Sequence, residues 1–133
     1  MKTAVRVLAA AVLLWVPAIA RADDCTQQAA DALTQRGYLY LDAHRWADAK
    51  TAAGELALYV QKCNDPSVQV PSAVQSAYIG AVALHHLGDD AKASEAVEMG
   101  FTVLNVLHQN GGYEALYRRL QPKFAALQSQ LKT

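Results

Sequence analysis

Apolar and small side chains recur at alternating steps of three and four residues through the middle of this chain. In the clearest stretch they are Trp46, Ala49, Ala53, Leu56, Val60 and Cys63. An α-helix has about 3.6 residues per turn, so this spacing places all of these side chains on one face. No segment alternates apolar and polar residues for long enough to predict a strand. The pattern therefore predicts an all-α fold.

The same spacing predicts four further helices, and turn-forming residues mark their ends. Apolar faces recur over residues 29–40, 72–87, 90–107 and 113–131. Gly88 is expected to end the third helix, and Asp89 is expected to cap the start of the fourth. The segment 64–71 carries two prolines and is expected to be the longest loop. Pro122 is expected to kink or restart the last helix, which would raise the number of helices from five to six.

The first residues have the order of parts of a secretory signal peptide. Two basic residues, Lys2 and Arg6, precede the apolar run VLAAAVLLWV, and a small-x-small cleavage site ends at Ala22. The apolar run is shorter than the roughly 20 residues that span a bilayer, so an uncleaved anchor is disfavoured. We expect cleavage after Ala22, a single helical domain over residues 23–133, and a periplasmic or secreted location without stable membrane insertion.

Cys25 and Cys63 are the only cysteines in the chain. Export would place them in an oxidising compartment, where a lone pair of cysteines usually bonds. Position 44 lies midway between them in a predicted turn, so two antiparallel helices folded about this position would bring the cysteines level. We expect a disulfide that closes this hairpin, with two free thiols as the alternative. A redox pair is disfavoured because there is no Cys-x-x-Cys motif.

Charge is unevenly distributed along the predicted mature chain. Loss of residues 1–22 removes three of the twelve basic residues, which leaves nine against twelve acidic residues and a net charge of −3. An acidic domain of this kind is not expected to bind nucleic acid. The last helix is the exception, since it carries four basic residues against Glu114 alone: Arg118, Arg119, Lys123 and Lys132. Its charge could be solvated, could dock on the acidic body, or could meet an acidic partner.

In the first hairpin a small residue and an aromatic on one helix precede an aromatic at the turn and an alanine on the next helix: Gly37, Tyr40, Trp46 and Ala49. At these spacings the chain resembles the tetratricopeptide repeats. The second hairpin matches in part, through Ala81, Leu84, Gly88 and Ala93, although Asp90 stands where an aromatic is usual. Gly37 and Ala81 are 44 residues apart, whereas the repeat period is near 34. We therefore expect about two such hairpins and a C-terminal capping helix, with an ordinary alanine-rich bundle as the alternative.

The resemblance implies a binding module that holds a protein or peptide on a concave face, which the first helix of each hairpin lines. Carried over residue by residue, this face would hold Asp31, Thr34, Tyr38, Leu41 and Asp42, and then Gln75, Tyr78, Val82, His85 and His86. Tyr38 and Tyr78 are the expected anchors, because tyrosine offers a large contact area at a small entropy cost. The alternative is that both are partly buried core aromatics with hydrated hydroxyls.

No group of residues has the pattern of a catalytic or metal site. The four histidines lie near predicted helix C-termini, where they interact favourably with the helix dipole, and only His44 is placed to approach His85 or His86. No serine lies in a strand–turn–helix elbow, and Gly111-Gly112 is too short to cradle a phosphate. We expect no catalytic activity, no cofactor and no metal.

The sequence thus favours an exported, non-catalytic adaptor that binds a protein or peptide. Three other hypotheses remain at this point. One is a periplasmic inhibitor or immunity protein, a second is a structural subunit of a cell-envelope assembly, and a third is a metal-binding or catalytic domain that uses His44 with His85 or His86.

Overall fold

Five helices and no strands make up the part of the chain that the structure describes. The structure is a computed structural model that describes residues 25–133, and the predicted signal peptide, residues 1–22, lies outside them. The helices are α1 (Gln27–Asp42), α2 (Trp46–Gln61), α3 (Pro66–His86), α4 (Asp90–Gln109) and α5 (Glu114–Lys132). The all-α prediction is therefore confirmed over this range. Within it, no helix combines the length and the hydropathy that a membrane crossing requires.

The third helix begins earlier than the sequence pattern predicts. The predicted loop 64–71 is wrong, because α3 starts at Pro66 and Ser72 is buried within it. Proline at the first helical position loses no hydrogen bond, and the Asp65 side chain accepts from the Ser67 backbone N–H as an N-cap. Val68 packs in the extra turn against the buried Cys63, which adds a tertiary reason for the helix to extend.

Pro122 does not divide the last helix, which runs without a break from Glu114 to Lys132. Proline removes one backbone donor, but Pro122 is exposed, so the carbonyl that loses its partner is accessible to water. Leu120 and Phe124 are fully buried on either side of it and hold both halves of α5 against the same core. Five helices is thus the observed number within residues 25–133.

The turns between helices use the predicted capping residues. Gly88 follows α3 with φ of 88°, its N–H donates to the His85 carbonyl, and the Asp89 N–H donates to the Leu84 carbonyl. This is a Schellman motif, and it needs a residue in the left-handed region. The Asp89 side chain then accepts from the Lys92 N–H and caps α4. His44 occupies the equivalent left-handed position after α1, with φ of 58°.

The helices form two rows, with α3 in the middle of the first. Each helix contacts the next one along the chain, and α3 also contacts α1 and α5, so α1, α3 and α5 form one row. The other row consists of α2 and α4, which do not contact each other within the described part of the chain. α3 alone contacts all four other helices. This central position lets α1 and α5 stand side by side on α3 without touching.

Small residues set how closely α3 packs on its neighbours. A Cβ on Gly100 of α4 would lie 2.8 Å from the Ala77 Cβ and 2.8 Å from the Phe124 Cζ. A Cβ on Gly37 of α1 would lie 2.8 Å from the Ile79 Cδ1. The buried Ser76 hydroxyl donates to the Ala53 carbonyl at 2.9 Å, which joins α3 to α2. These contacts bring the axes of α1, α2 and α4 close to α3.

A disulfide closes the open end of the first hairpin. Cys25 bonds to Cys63, with their Cα atoms 4.9 Å apart, as the position of the predicted turn at residue 44 suggested. The Thr26 backbone N–H donates to the Tyr59 hydroxyl at 2.8 Å, so a hydrogen bond between α1 and α2 lies beside the disulfide. Ala30 and Val68 are buried against this end. The disulfide therefore joins the start of α1 to the junction of α2 and α3.

Reduction of the disulfide is expected to lower the free energy of unfolding by about 4 kcal/mol, because the bond restricts a long loop of the unfolded chain. Urea unfolding with and without reductant measures the change. The variant Cys25→Ser/Cys63→Ser is the control, since its unfolding midpoint should not respond to reductant. Two alkylated thiols in the unreduced protein would contradict the assignment.

Gly100→Ala is expected to lower the free energy of unfolding by about 1–2 kcal/mol, because the added methyl overlaps Ala77 and Phe124. This loss should appear although alanine is the better helix former by about 1 kcal/mol. Gly54→Ala is the matched control in the middle of α2, where a Cβ meets nothing within 4 Å. Urea unfolding should show Gly54→Ala to be more stable than the parent. Equal effects of the two substitutions would contradict the packing described.

Candidate binding groove

A groove runs along the row formed by α1, α3 and α5. α1 forms one wall, α5 forms the other, and α3 lies between them. Its cavity has a volume of about 400 Å³. Side chains from all three helices line it: Asp31, Thr34, Gln35 and Tyr38 from α1, Gln75 from α3, and Arg119 and Lys123 from α5. The fold thus brings together residues that lie up to 92 positions apart in the chain, Asp31 and Lys123.

Tyr38 is a partly buried side chain of the groove that is held by a hydrogen bond to α3. Its hydroxyl donates to the Gln75 Oε1 and so joins α1 to α3. Burial raises the pKa of Tyr38 well above its usual value, the Arg119 guanidinium opposes the rise, and Tyr78 adds to it. The hydroxyl is therefore protonated at neutral pH and remains a hydrogen-bond donor to Gln75.

Tyr78 of α3 is not among the residues that line the groove, but its ring contacts side chains of both helices that form the walls. Its ring stacks on Tyr38 with the centroids 6.3 Å apart, and it meets the Phe124 ring edge-on at 5.3 Å. The Lys123 Nζ lies 5.9 Å from the centre of the Tyr78 ring, within reach of a cation–π interaction. Burial raises the pKa of Tyr78. The two tyrosines predicted as anchors therefore lie together, and both pack against the core, but only Tyr38 lines the groove.

Other residues predicted for the concave face lie elsewhere. Leu41 is buried with Ala49 and Ile79 in a core cluster, on the same face of α1 as Gly37, and it does not line the groove. Asp42 lines a smaller cavity of about 230 Å³ with Gln35, Tyr38 and Leu39. Val82 is half-buried and packs against the core on both sides of α3. Of the residues predicted for the concave face, those that line the groove are Asp31, Thr34, Tyr38 and Gln75.

His85 and His86 lie at the end of α3, outside the groove lining. The His85 Nδ1 is 2.8 Å from the Asp90 Oδ1. The His86 ring stacks on Trp46 with the centroids 3.8 Å apart, and His44 stacks on the same indole at 5.0 Å. Partial burial lowers the pKa of His86, and its neighbours His85 and His44 lower it further. His44 thus approaches His86, as the predicted hairpin arrangement allowed.

This histidine cluster is an aromatic stack, because the faces of two imidazoles are turned to Trp46. Among residues 25–133, no three His, Cys, Asp or Glu side chains converge closely enough to hold a metal ion. Packing at the ends of the first two hairpins is the role that these contacts support.

Sequence reasoning did not assign Gln35, Arg119 and Lys123 to the groove. Arg119 and Lys123 are one helical turn apart, so they project from the same face of α5. The basic character of this helix was visible in the sequence, but its position beside α3 was not. Gln35 lies between the predicted positions 34 and 38 on α1, so the helical period alone could have placed it at the edge of the groove.

The geometry supplies two cations, amide and hydroxyl groups and an aromatic surface along one cleft, which are groups that bind a ligand and orient it. Comparison of the chain with protein-family models, with curated proteins and with solved structures finds no match in any of the three.

Proposed function

We propose that this protein is an exported, non-catalytic adaptor that binds a segment of a protein or peptide in the groove between α1 and α5. The observation that carries the proposal is the groove itself, in which three helices from distant parts of the chain present polar, charged and aromatic side chains to one cleft. The tetratricopeptide-like spacing of Gly37, Tyr40, Trp46 and Ala49 supports a binding role of this kind.

The size of the groove favours a short stretch of chain as its occupant. Its volume of about 400 Å³ lies in the lower part of the range of about 300–1,000 Å³ in which proteins hold small ligands. A few side chains of an extended peptide would fill such a space. A folded partner would contribute a projecting loop or terminus.

The walls of the groove are held from behind by the core. On α5, Leu120 and Phe124 are fully buried on the face next to Arg119 and Lys123. On α1, Gly37 is buried against Ile79 beside Tyr38. A binding surface fixed in this way loses little conformational entropy when a partner binds, which favours affinity.

Two observations support export. The disulfide between Cys25 and Cys63 is of a kind that persists in oxidising compartments. The segment 1–22 has the composition of a cleaved signal peptide. We propose cleavage after Ala22 and a periplasmic or secreted location.

A second candidate function is that of a structural subunit in a cell-envelope assembly. The outer surface of α4 favours it, since Met99 and Val106 are two turns apart on this helix and have exposed fractions of 49% and 48%. Such a subunit would make contacts through α4, whereas the adaptor would make contacts through the groove. The two candidates therefore predict different surfaces at which substitutions impair partner binding.

Gln35→Trp is expected to weaken peptide binding at least about tenfold, because the indole would occupy the groove. Position 35 is exposed, so the substitution should change the free energy of unfolding little. The measurement is selection of binders from a random peptide library by the oxidised protein, purified from cells that express the full chain. Titration of the selected peptides against parent and variant follows.

The matched control is Gln61→Trp, which adds the same indole at an exposed position on α2. It should leave peptide affinity unchanged. Circular dichroism and urea unfolding establish that both variants fold. Equal binding by Gln35→Trp and the parent would contradict groove binding. If the double variant Met99→Lys/Val106→Lys loses partner binding and Gln35→Trp does not, the structural subunit is favoured.

A further inference from the structure

The two basic residues in the wall of the groove have no acidic partner. Five contacts within residues 25–133 join a basic or histidine side chain to a carboxylate, and none includes Arg119 or Lys123. Both side chains are exposed, and both line the groove. They are four residues apart on α5, so a single carboxylate between them could contact both.

Neighbouring contacts direct these charges toward the groove. The Lys123 Nζ lies 5.9 Å from the centre of the Tyr78 ring, which holds the ammonium group near α3. Arg119 is close enough to Tyr38 to affect its ionisation. The Tyr38 hydroxyl already donates to Gln75. An oxygen of a ligand bound beside this hydrogen bond would therefore face Arg119 and Lys123.

The opposite wall does not neutralise the pair. Asp31 is the one carboxylate among the residues that line the groove, and its Oδ1 accepts a hydrogen bond from the Gln27 Nε2 at 2.7 Å. Two cations against one carboxylate leave the lining with an excess positive charge. An anionic group in the groove would therefore form charge-assisted hydrogen bonds that the protein itself leaves unmade.

The charge of the whole domain decides which anion fits. Residues 23–133 carry a net charge of −3, so a long polyanion such as a nucleic acid would be repelled by the surroundings of the groove. A peptide with one or two carboxylates is attracted locally and can place an apolar side chain beside Tyr38. This pattern of local attraction within a repelling surface gives selectivity.

We propose that the groove selects acidic peptide segments, with an Asp or Glu side chain of the partner bound between Arg119 and Lys123 and an adjacent apolar or aromatic side chain of the partner against Tyr38. This inference rests on the proposed function, because it names the class of partner that the same groove takes.

The test uses pairs of short fluorescent peptides that differ only in charge. One member of each pair carries Glu beside Phe. The other carries Gln in place of Glu and is otherwise identical. Fluorescence anisotropy with the oxidised protein should show that the acidic member binds about tenfold tighter, as expected for a charge-assisted hydrogen bond. The preference should weaken as salt is raised, because the charges are exposed.

Arg119→Gln and Lys123→Gln should each reduce the preference for the acidic peptide, and the double variant should abolish it. Arg118→Gln is the matched control, because it removes the same charge from the adjacent position of α5. The Arg118 side chain has an exposed fraction of 77%, does not line the groove, and has its Nε 3.7 Å from a Glu114 carboxylate oxygen. The control should keep the full preference.

Two outcomes would overturn this inference and leave the proposed function standing. In the first, the acidic and amide peptides bind equally tightly and Gln35→Trp blocks both. In the second, Arg118→Gln and Arg119→Gln reduce the preference for the acidic peptide by the same factor. If no peptide of either kind binds, or if binding ignores Gln35→Trp, the proposed function fails and this inference fails with it.

Discussion

Close packing on α3 is the constraint on which the rest of the structure depends. α3 contacts every other helix within residues 25–133, and it can do so because Gly37 and Gly100 remove side-chain volume where α1 and α4 cross it. A methyl group at Gly100 would overlap both Ala77 and Phe124, so α3, α4 and α5 meet at this one point. With α1 and α5 each held against α3, the space between them becomes a cleft with polar walls.

The disulfide and the groove residue Tyr38 lie at different points along α1. Cys25 and Cys63 join the start of α1 to the end of α2, whereas Tyr38 lies more than three turns along α1. The bond therefore fixes the angle of α1 from one end, and the Tyr38–Gln75 hydrogen bond fixes it near the other. α1 supplies four of the seven side chains that line the groove, so both constraints position this wall of the cleft. A preorganised cleft of this kind suits a partner that is itself flexible.

Much of the fold could be predicted from the sequence, because its main signals are local. Helical periodicity, Gly88 as a cap and the midpoint of the two cysteines depend on nearby residues or on simple hairpin geometry. The early start of α3 was missed because proline is a loop signal in a sequence, although Pro66 at the first position of a helix is favourable. In the site, Tyr38 was expected from its face of α1, whereas Leu41 turned out to share the buried face of Gly37. Arg119 and Lys123 could not be placed, because nothing local specifies which helix α5 lies beside.

We propose that the groove, and not the row formed by α2 and α4, contacts the partner. Site-specific photo-crosslinking in cells that express the full chain tests it most directly, with a benzophenone amino acid at Gln35 in the groove or at Leu58 on α2, where the exposed fraction is 59%. We expect a covalent adduct from position 35 and none from position 58, with the attached peptide mapping to an acidic segment of the partner. An adduct from position 58 with none from position 35 would contradict it.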